Sequence, residues 1–104
     1  MTYSVVFTPE AEEQLAELYL YIKDVASPAI ALRYTSAIVA HCEGFRELPR
    51  RAVRRDDIRH GLHITNYKGR AVIAFTVDAE RVSIIGVFYG GRDYETLLQS
   101  DADE

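Results

Sequence analysis

The sequence predicts an α+β domain: an N-terminal strand, a helical hairpin packed on an antiparallel sheet of about four strands, and a short C-terminal helix. Three observations predict it. Threonine-proline at Thr8-Pro9 and serine-proline at Ser27-Pro28 each precede apolar residues spaced three or four apart, the period of a helix with one buried face. Between residues 61 and 89 the period changes to short β-rich runs separated by turn formers. The last run ends at Gly90-Gly91 and gives way to a polar helical stretch.

Residues 3–7 form the first strand by their β-branched and aromatic content. Thr8 is the expected N-cap of the first helix, Pro9 occupies its first turn without losing a hydrogen bond, and Glu10 complements the helix dipole. Ala11, Leu15, Leu18, Ile22 and Val25 make its apolar stripe, opposite Glu12, Glu13, Glu17 and Lys23. From Ala31 the series Tyr34, Ile38, Cys42 and Phe45 describes a second helix to about Leu48, where Pro49 ends it. So short a link folds the two back as a hairpin. Residues 50–59, rich in arginine, read as an exposed loop or frayed turn.

Strands are expected at 61–65, 70–77 and 81–89, joined by Asn66-Tyr67-Lys68-Gly69 and Asp78-Ala79-Glu80 as a meander. The last two are almost wholly apolar, which implies cover on both faces, by the hairpin on one and by the C-terminal segment or a partner on the other. The N-terminal strand completes the sheet at an edge or beside the last strand. Residues 1–98 thus make one domain, and 99–104 an acidic, mobile tail.

A chain of 104 residues with 48% hydrophobic content supports one core. The single Cys42 cannot form an internal disulfide, and no cysteine or histidine cluster has zinc spacing, so no metal or cofactor is expected. The absence of a secretory leader pattern and of a long apolar run predicts a cytoplasmic protein with no membrane contact. Net charge is −4 but unevenly placed, at −4 over residues 1–45, +5 over 46–70 and −5 over 71–104. Global acidity argues against indiscriminate nucleic-acid binding, while the basic middle suits contact with an acidic or phosphate surface.

His60 and His63 would point to opposite faces of a strand, and His41 and Cys42, adjacent on a helix, do not face each other; none makes a catalytic pair. Arg92 is the strongest functional candidate, since Gly90-Gly91 leaves it unhindered and Asp93 can orient it. Arg50, Arg51, Arg54, Arg55 and Arg59 form a second cationic group.

The order of these elements, with Phe7-Thr8-Pro9-Glu10-Ala11, Leu15, Leu18, Tyr19, Tyr21, Ile22, Pro28-Ala29, Arg33-Tyr34, Phe75, Val77, Arg81-Val82 and Tyr89-Gly90-Gly91-Arg92-Asp93-Tyr94, resembles the RelE/ParE superfamily of toxin–antitoxin toxins, also labelled plasmid stabilisation proteins. The resemblance spans nearly the whole chain. It implies one of two activities: poisoning of DNA gyrase, as in ParE-like members, or cleavage of messenger RNA on the ribosome, as in RelE-like members.

On the RelE pattern Arg92 matches one catalytic arginine, but Val72 and Leu98 stand where an arginine and a tyrosine are expected. Arg59, Arg70, Tyr89 and Tyr94 are the available substitutes. The Thr8-Pro9-Glu10-Ala11 start and the Arg92-Asp93-Tyr94 close suit the ParE-like branch better, although Ala71 and Ala74 replace its usual aromatics. The resemblance therefore implies a stoichiometric inhibitor of DNA gyrase, with a ribosome-dependent endoribonuclease or a degenerate, non-toxic antitoxin-binding protein as alternatives. Its implied target-binding residues are Arg92, Tyr89, Tyr94 and Arg59; a nuclease would use Arg92, Arg59, Arg70 and Tyr94. The implied partner is an antitoxin with a ribbon-helix-helix DNA-binding dimer, contacting Leu18, Tyr19, Ile22 and Tyr34, so that this chain meets DNA only through the antitoxin.

Overall fold

The computed structural model describes residues 2–47, 52–91 and 94–102, the last four of these in backbone only. Strand β1 (Ser4–Phe7) leads into α1 (Pro9–Val25) and α2 (Pro28–Glu43), followed by a 3-10 helix (Gly44–Glu47), β2 (Val53–Arg54), β3 (Leu62–Tyr67), β4 (Ala71–Val77), β5 (Arg81–Tyr89) and α3 (Tyr94–Ala102). Both helix starts follow their local chemistry. The Thr8 hydroxyl accepts from Ala11 N–H at 3.2 Å and the Ser27 hydroxyl from Ile30 N–H at 3.1 Å, each with proline in the first turn.

The sheet has five strands in the order β1-β5-β4-β3-β2. It exceeds the expected four because Val53–Arg54, too short to show any period, pairs with Ile64 and His63. It is also mixed, since β1 runs parallel to β5, Ser4 opposite Arg81 and Phe7 opposite Ile84. Alternation of side chains is the same in either direction, so only the path through two helices decides it. The second helix ends at Glu43 and tightens into the 3-10 turn earlier than expected; Leu48 and Pro49 lie outside the described residues. The C-terminal helix continues through Ala102, past the expected end at Leu98, and Asp103 and Glu104 lie outside the described residues.

One core lies between the hairpin and the sheet, built from Ala11, Leu18, Ile22, Ala31, Ile38, Cys42 and Phe45 against Ile73, Phe75, Val82 and Ile84. Val25, placed in the same stripe by its spacing, is instead 65% exposed as the last residue of α1. A second cluster covers the other face, with Ile58, Leu62, Ile64, Ala74, Phe88 and Leu98. The arginine-rich segment is therefore not a free loop. Its Ile58 is buried, and Arg55 and Arg59 reach α3 at Glu95 and at the Leu98 carbonyl, 3.1 and 3.0 Å away.

The β4–β5 turn is closed by Asp78, whose Oδ1 accepts from Glu80 N–H (2.9 Å) and Arg81 N–H (2.8 Å). The bond from Glu80, then that from Arg81, holds the carboxyl below the usual carboxylate range. A depressed folded pKa stabilises above the unfolded value and is lost as pH falls through the folded one. Asp78→Ala is therefore expected to lower the urea midpoint at pH 7, with the gap to wild type closing below about pH 4. A gap of constant size down to pH 2 would refute the assignment.

Candidate functional site: the exit of the last strand

Strand β5 leaves the sheet through Gly90 and Gly91, whose φ values of 74° and 77° lie in the left-handed region where a side chain is strained. Gly90 N–H donates to Arg70 O at 3.2 Å, tying the exit to the turn between β3 and β4. In that turn Lys68 and Gly69 have φ of 52° and 70°, and Arg70 N–H closes it on Tyr67 O at 3.2 Å, the mirror-image turn that suits the twist of a hairpin.

Around this exit runs a chain of rings. Tyr89 meets Tyr21 at 6.2 Å and Tyr34 at 5.7 Å between centroids, Tyr34 meets Tyr67 at 6.0 Å edge-on, and Tyr67 meets His41 at 5.0 Å. Lys68 Nζ lies 5.5 Å from the Tyr67 ring centre. The Tyr34 hydroxyl is buried with no hydrogen-bond partner among the described residues. Burial pushes its pKa up, and Tyr89 and Tyr67 add to this against the opposing Arg70 charge, so the hydroxyl stays protonated at neutral pH. A groove of about 340 Å³ opens beside the rings, lined by Gln14, Glu17, Leu18, Tyr21, Val87, Tyr89 and Gly90.

The structure divides the residues that the sequence grouped. Tyr89 and Arg70 stand together at the strand exit, whereas Tyr94 packs 6.1 Å from Phe88 on the opposite face of the sheet. Arg59 is with Tyr94 on that second face, its Nη2 bonded to Leu98 O. Arg59 and Arg70 flank opposite ends of β3, roughly 15–20 Å apart at the strand rise of about 3.3 Å per residue. Arg92 and Asp93, and with them Arg50 and Arg51, lie outside the described residues. Sequence reading missed the ring cluster because Tyr34 counted as a helical stripe and Tyr67 as a turn residue. A usable signal was present in the tyrosines that close two of the strand segments, Tyr67 and Tyr89.

Other candidate chemistry is absorbed by packing. Cys42 is fully buried and its thiol is pushed up to about 12 by burial and then by Glu43, so it is not a nucleophile. His63 stacks on Phe75 at 5.2 Å, with Nδ1 3.1 Å from Gly61 O, and His60 sits in the exposed turn before it. Among the described residues no group of three or more His, Cys, Asp or Glu side chains could hold a metal ion, and no helix is long and apolar enough to cross a membrane.

The hairpin carries a second feature on its outer side. Leu15, Ala16, Tyr19, Leu20, Thr35, Ser36, Val39, Ala40 and Glu43 line a shallow, mostly apolar groove of about 680 Å³, in which Leu20 is 53% exposed. Of the residues expected to meet an antitoxin, Tyr19 lines this groove and Tyr34 belongs to the ring cluster. Leu18 and Ile22 turn toward the core at 6% and 7% exposure, and Leu18 also lines the groove at the strand exit.

This architecture, an α1–α2 hairpin on a twisted sheet with a glycine-hinged strand exit, is that of the RelE/ParE superfamily. The family profile described as "ParE toxin of type II toxin-antitoxin system, parDE" matches residues 5–94. The chain belongs to the ParE toxin family of type II toxin–antitoxin systems. Among solved structures it is similar to a chain of the chromosomal ParDE toxin–antitoxin system from P. aeruginosa, with a TM-score of 0.74 and 17% identity, over 85% of this chain and 96% of that one. It is also similar to a chain of the toxin–antitoxin complex RelBE2 from Mycobacterium tuberculosis, with a TM-score of 0.63 and 23% identity, over 88% and 95% respectively. No curated protein matches the chain.

Proposed function

We propose that this chain is a toxin that acts by stoichiometric binding to DNA gyrase, in the cytoplasm and without cofactor or metal, and that a cognate antitoxin holds it inactive. The observation that carries the binding reading is how its cations are used. Cleavage at a 2′-hydroxyl needs a base, a leaving-group acid and several cations converging on one phosphate. Here Arg59 is bonded to the Leu98 carbonyl, and Arg55 to Asp57 (2.9 Å) and Glu95 (3.1 Å), whose bonds raise its pKa further. Arg70 stands at the far end of β3. What remains at the strand exit is a lip of Tyr21, Tyr89, Lys68 and Arg70 with Gly90 and Gly91, onto which Arg92 follows directly, suited to gripping a protein surface.

The antitoxin fits the outer groove of the hairpin, where an amphipathic helix would cover Leu20, Tyr19 and Val39. Its own ribbon-helix-helix dimer would supply all contact with DNA.

Expression without antitoxin is expected to arrest growth, with gyrase-linked DNA breaks and intact messages. Arg92→Ala should relieve the arrest while leaving antitoxin binding within about twofold. Codon-phased cuts in translated messages would replace this reading with the ribosome-dependent nuclease. Absence of any arrest by the wild-type chain would leave a non-toxic antitoxin-binding protein.

A further inference from the structure

Two leucines more than half exposed stand on the outer side of the hairpin, Leu20 at 53% in α1 and Leu32 at 61% in α2. Leu20 lines the outer groove, and Leu32, one turn before Ser36, extends the same face. Between the two helices the groove is floored by the small residues Ala16, Ser36 and Ala40. The buried positions of both helices turn to the sheet, and α3 with the second cluster covers the sheet's other face, so among the described residues nothing packs over this side.

The two ends of this face carry opposite charge. Glu12, one turn before Ala16, and Glu43, which lines the groove, mark the end remote from the α1–α2 link; Lys23, one turn after Tyr19, marks the link end. Among the described residues none of the three forms an ion pair. Glu12 and Lys23 suit the dipole of α1, but Glu43 lies in the last turn of α2, where the dipole opposes an acid. Its placement gains nothing from the helix that carries it. Glu10, Glu13 and Glu17 line the opposite flank of α1, beside β5, so the acidity of this helix is directed away from the face.

We infer that a second copy of this chain covers the face, hairpin against hairpin, about a twofold axis that crosses the helices midway between Glu12 and Lys23. These two lie about 16 Å apart along α1 at about 1.5 Å per residue, and the axis exchanges their positions. Each Lys23 then meets Glu12 of the second copy, with Glu43 at the same end, and each Leu20 lies over Ala16 and Ala40 of the other chain in an antiparallel four-helix arrangement. A twofold interface must complement itself, as an apolar centre between oppositely charged ends does. The face is smaller than the about 20–30 residues a side of a standard interface, so the dimer is a weak one, with a dissociation constant on the order of 10 µM. The antitoxin proposed above takes the same groove, so self-association and antitoxin capture exclude each other.

Sedimentation of the purified full-length chain at about 1 to 300 µM and low salt tests this, and because no antitoxin takes part, failure leaves the antitoxin reading standing. The mean mass is expected to climb from 11.8 kDa toward twice that value. Leu20→Glu should hold the chain monomeric throughout. Glu12→Lys and Lys23→Glu, each alone, should weaken association about tenfold, since like charges then meet at both ends. An equimolar mixture of these two variants should associate about as tightly as wild type, because each supplies the charge that the other lacks. Charges that served only the helix dipole would lower the urea midpoint of both variants and leave their mixture no tighter than either alone, which overturns the inference. So does a monomer at about 300 µM, or a dimer that survives Leu20→Glu.

Discussion

Phe88→Ala is expected to lower the unfolding free energy by about 3–5 kcal/mol, a large share of the 5–15 kcal/mol typical of one domain. Phe88 is 3% exposed and joins Ile58, Leu62, Ile64 and Leu98 in the cluster that seats α3 on the sheet. Its ring also roofs Gly86: a Cβ built there would lie 2.5 Å from Cε2 and 2.7 Å from Cζ. Gly86→Ala should therefore destabilise by about 1–3 kcal/mol through overpacking. Two substitutions that share one contact are not additive. In a Phe88→Leu background most of the Gly86→Ala cost should disappear, because the obstructing ring is gone. Urea unfolding of the four proteins gives the coupling, and strictly additive midpoints would show that the glycine is required for another reason.

Arg59→Met is expected to loosen the C-terminal helix, at about 1–3 kcal/mol for a carbonyl that loses its charged donor. The Nη2 bond to Leu98 O spans 39 positions of sequence, and the buried Nε has no hydrogen-bond partner among the described residues. The fall in exchange protection should concentrate in Tyr94–Ala102 and the segment around Ile58, with α1 and α2 unaffected. If Arg59 served a target rather than the fold, Arg59→Met would abolish growth arrest with no change in α3 protection. That outcome would return the residue to the target-binding set.

These two cases show where sequence reasoning stops. Thr8-Pro9 and Ser27-Pro28 announced both helix starts, because capping is settled within three residues of chain. Lys68-Gly69 likewise carried its own turn conformation. The arginine segment could not be read in the same way. Arg55 and Arg59 find their partners on α3, about forty positions away, and a charge run with distant partners has the same composition as a solvated loop. Leu18 and Ile22 show the converse: periodicity placed them on the apolar stripe, where they are buried against the sheet, and their assignment to an antitoxin came from the resemblance alone.

By itself the sequence determined the class of fold, the two capped helices, the three-strand meander, the glycine-hinged exit at Gly90-Gly91 and a resemblance that the family profile over residues 5–94 supports. All of these are written in short-range periods and local backbone preferences. The tertiary structure alone decided that β1 runs parallel and covers only part of β5, that Gln14 accepts from Val87 N–H, and that four tyrosines from two helices and two strands meet at the exit. Each of those depends on elements far apart in the chain being brought together, and the free energy that does so comes from burying both faces of one sheet.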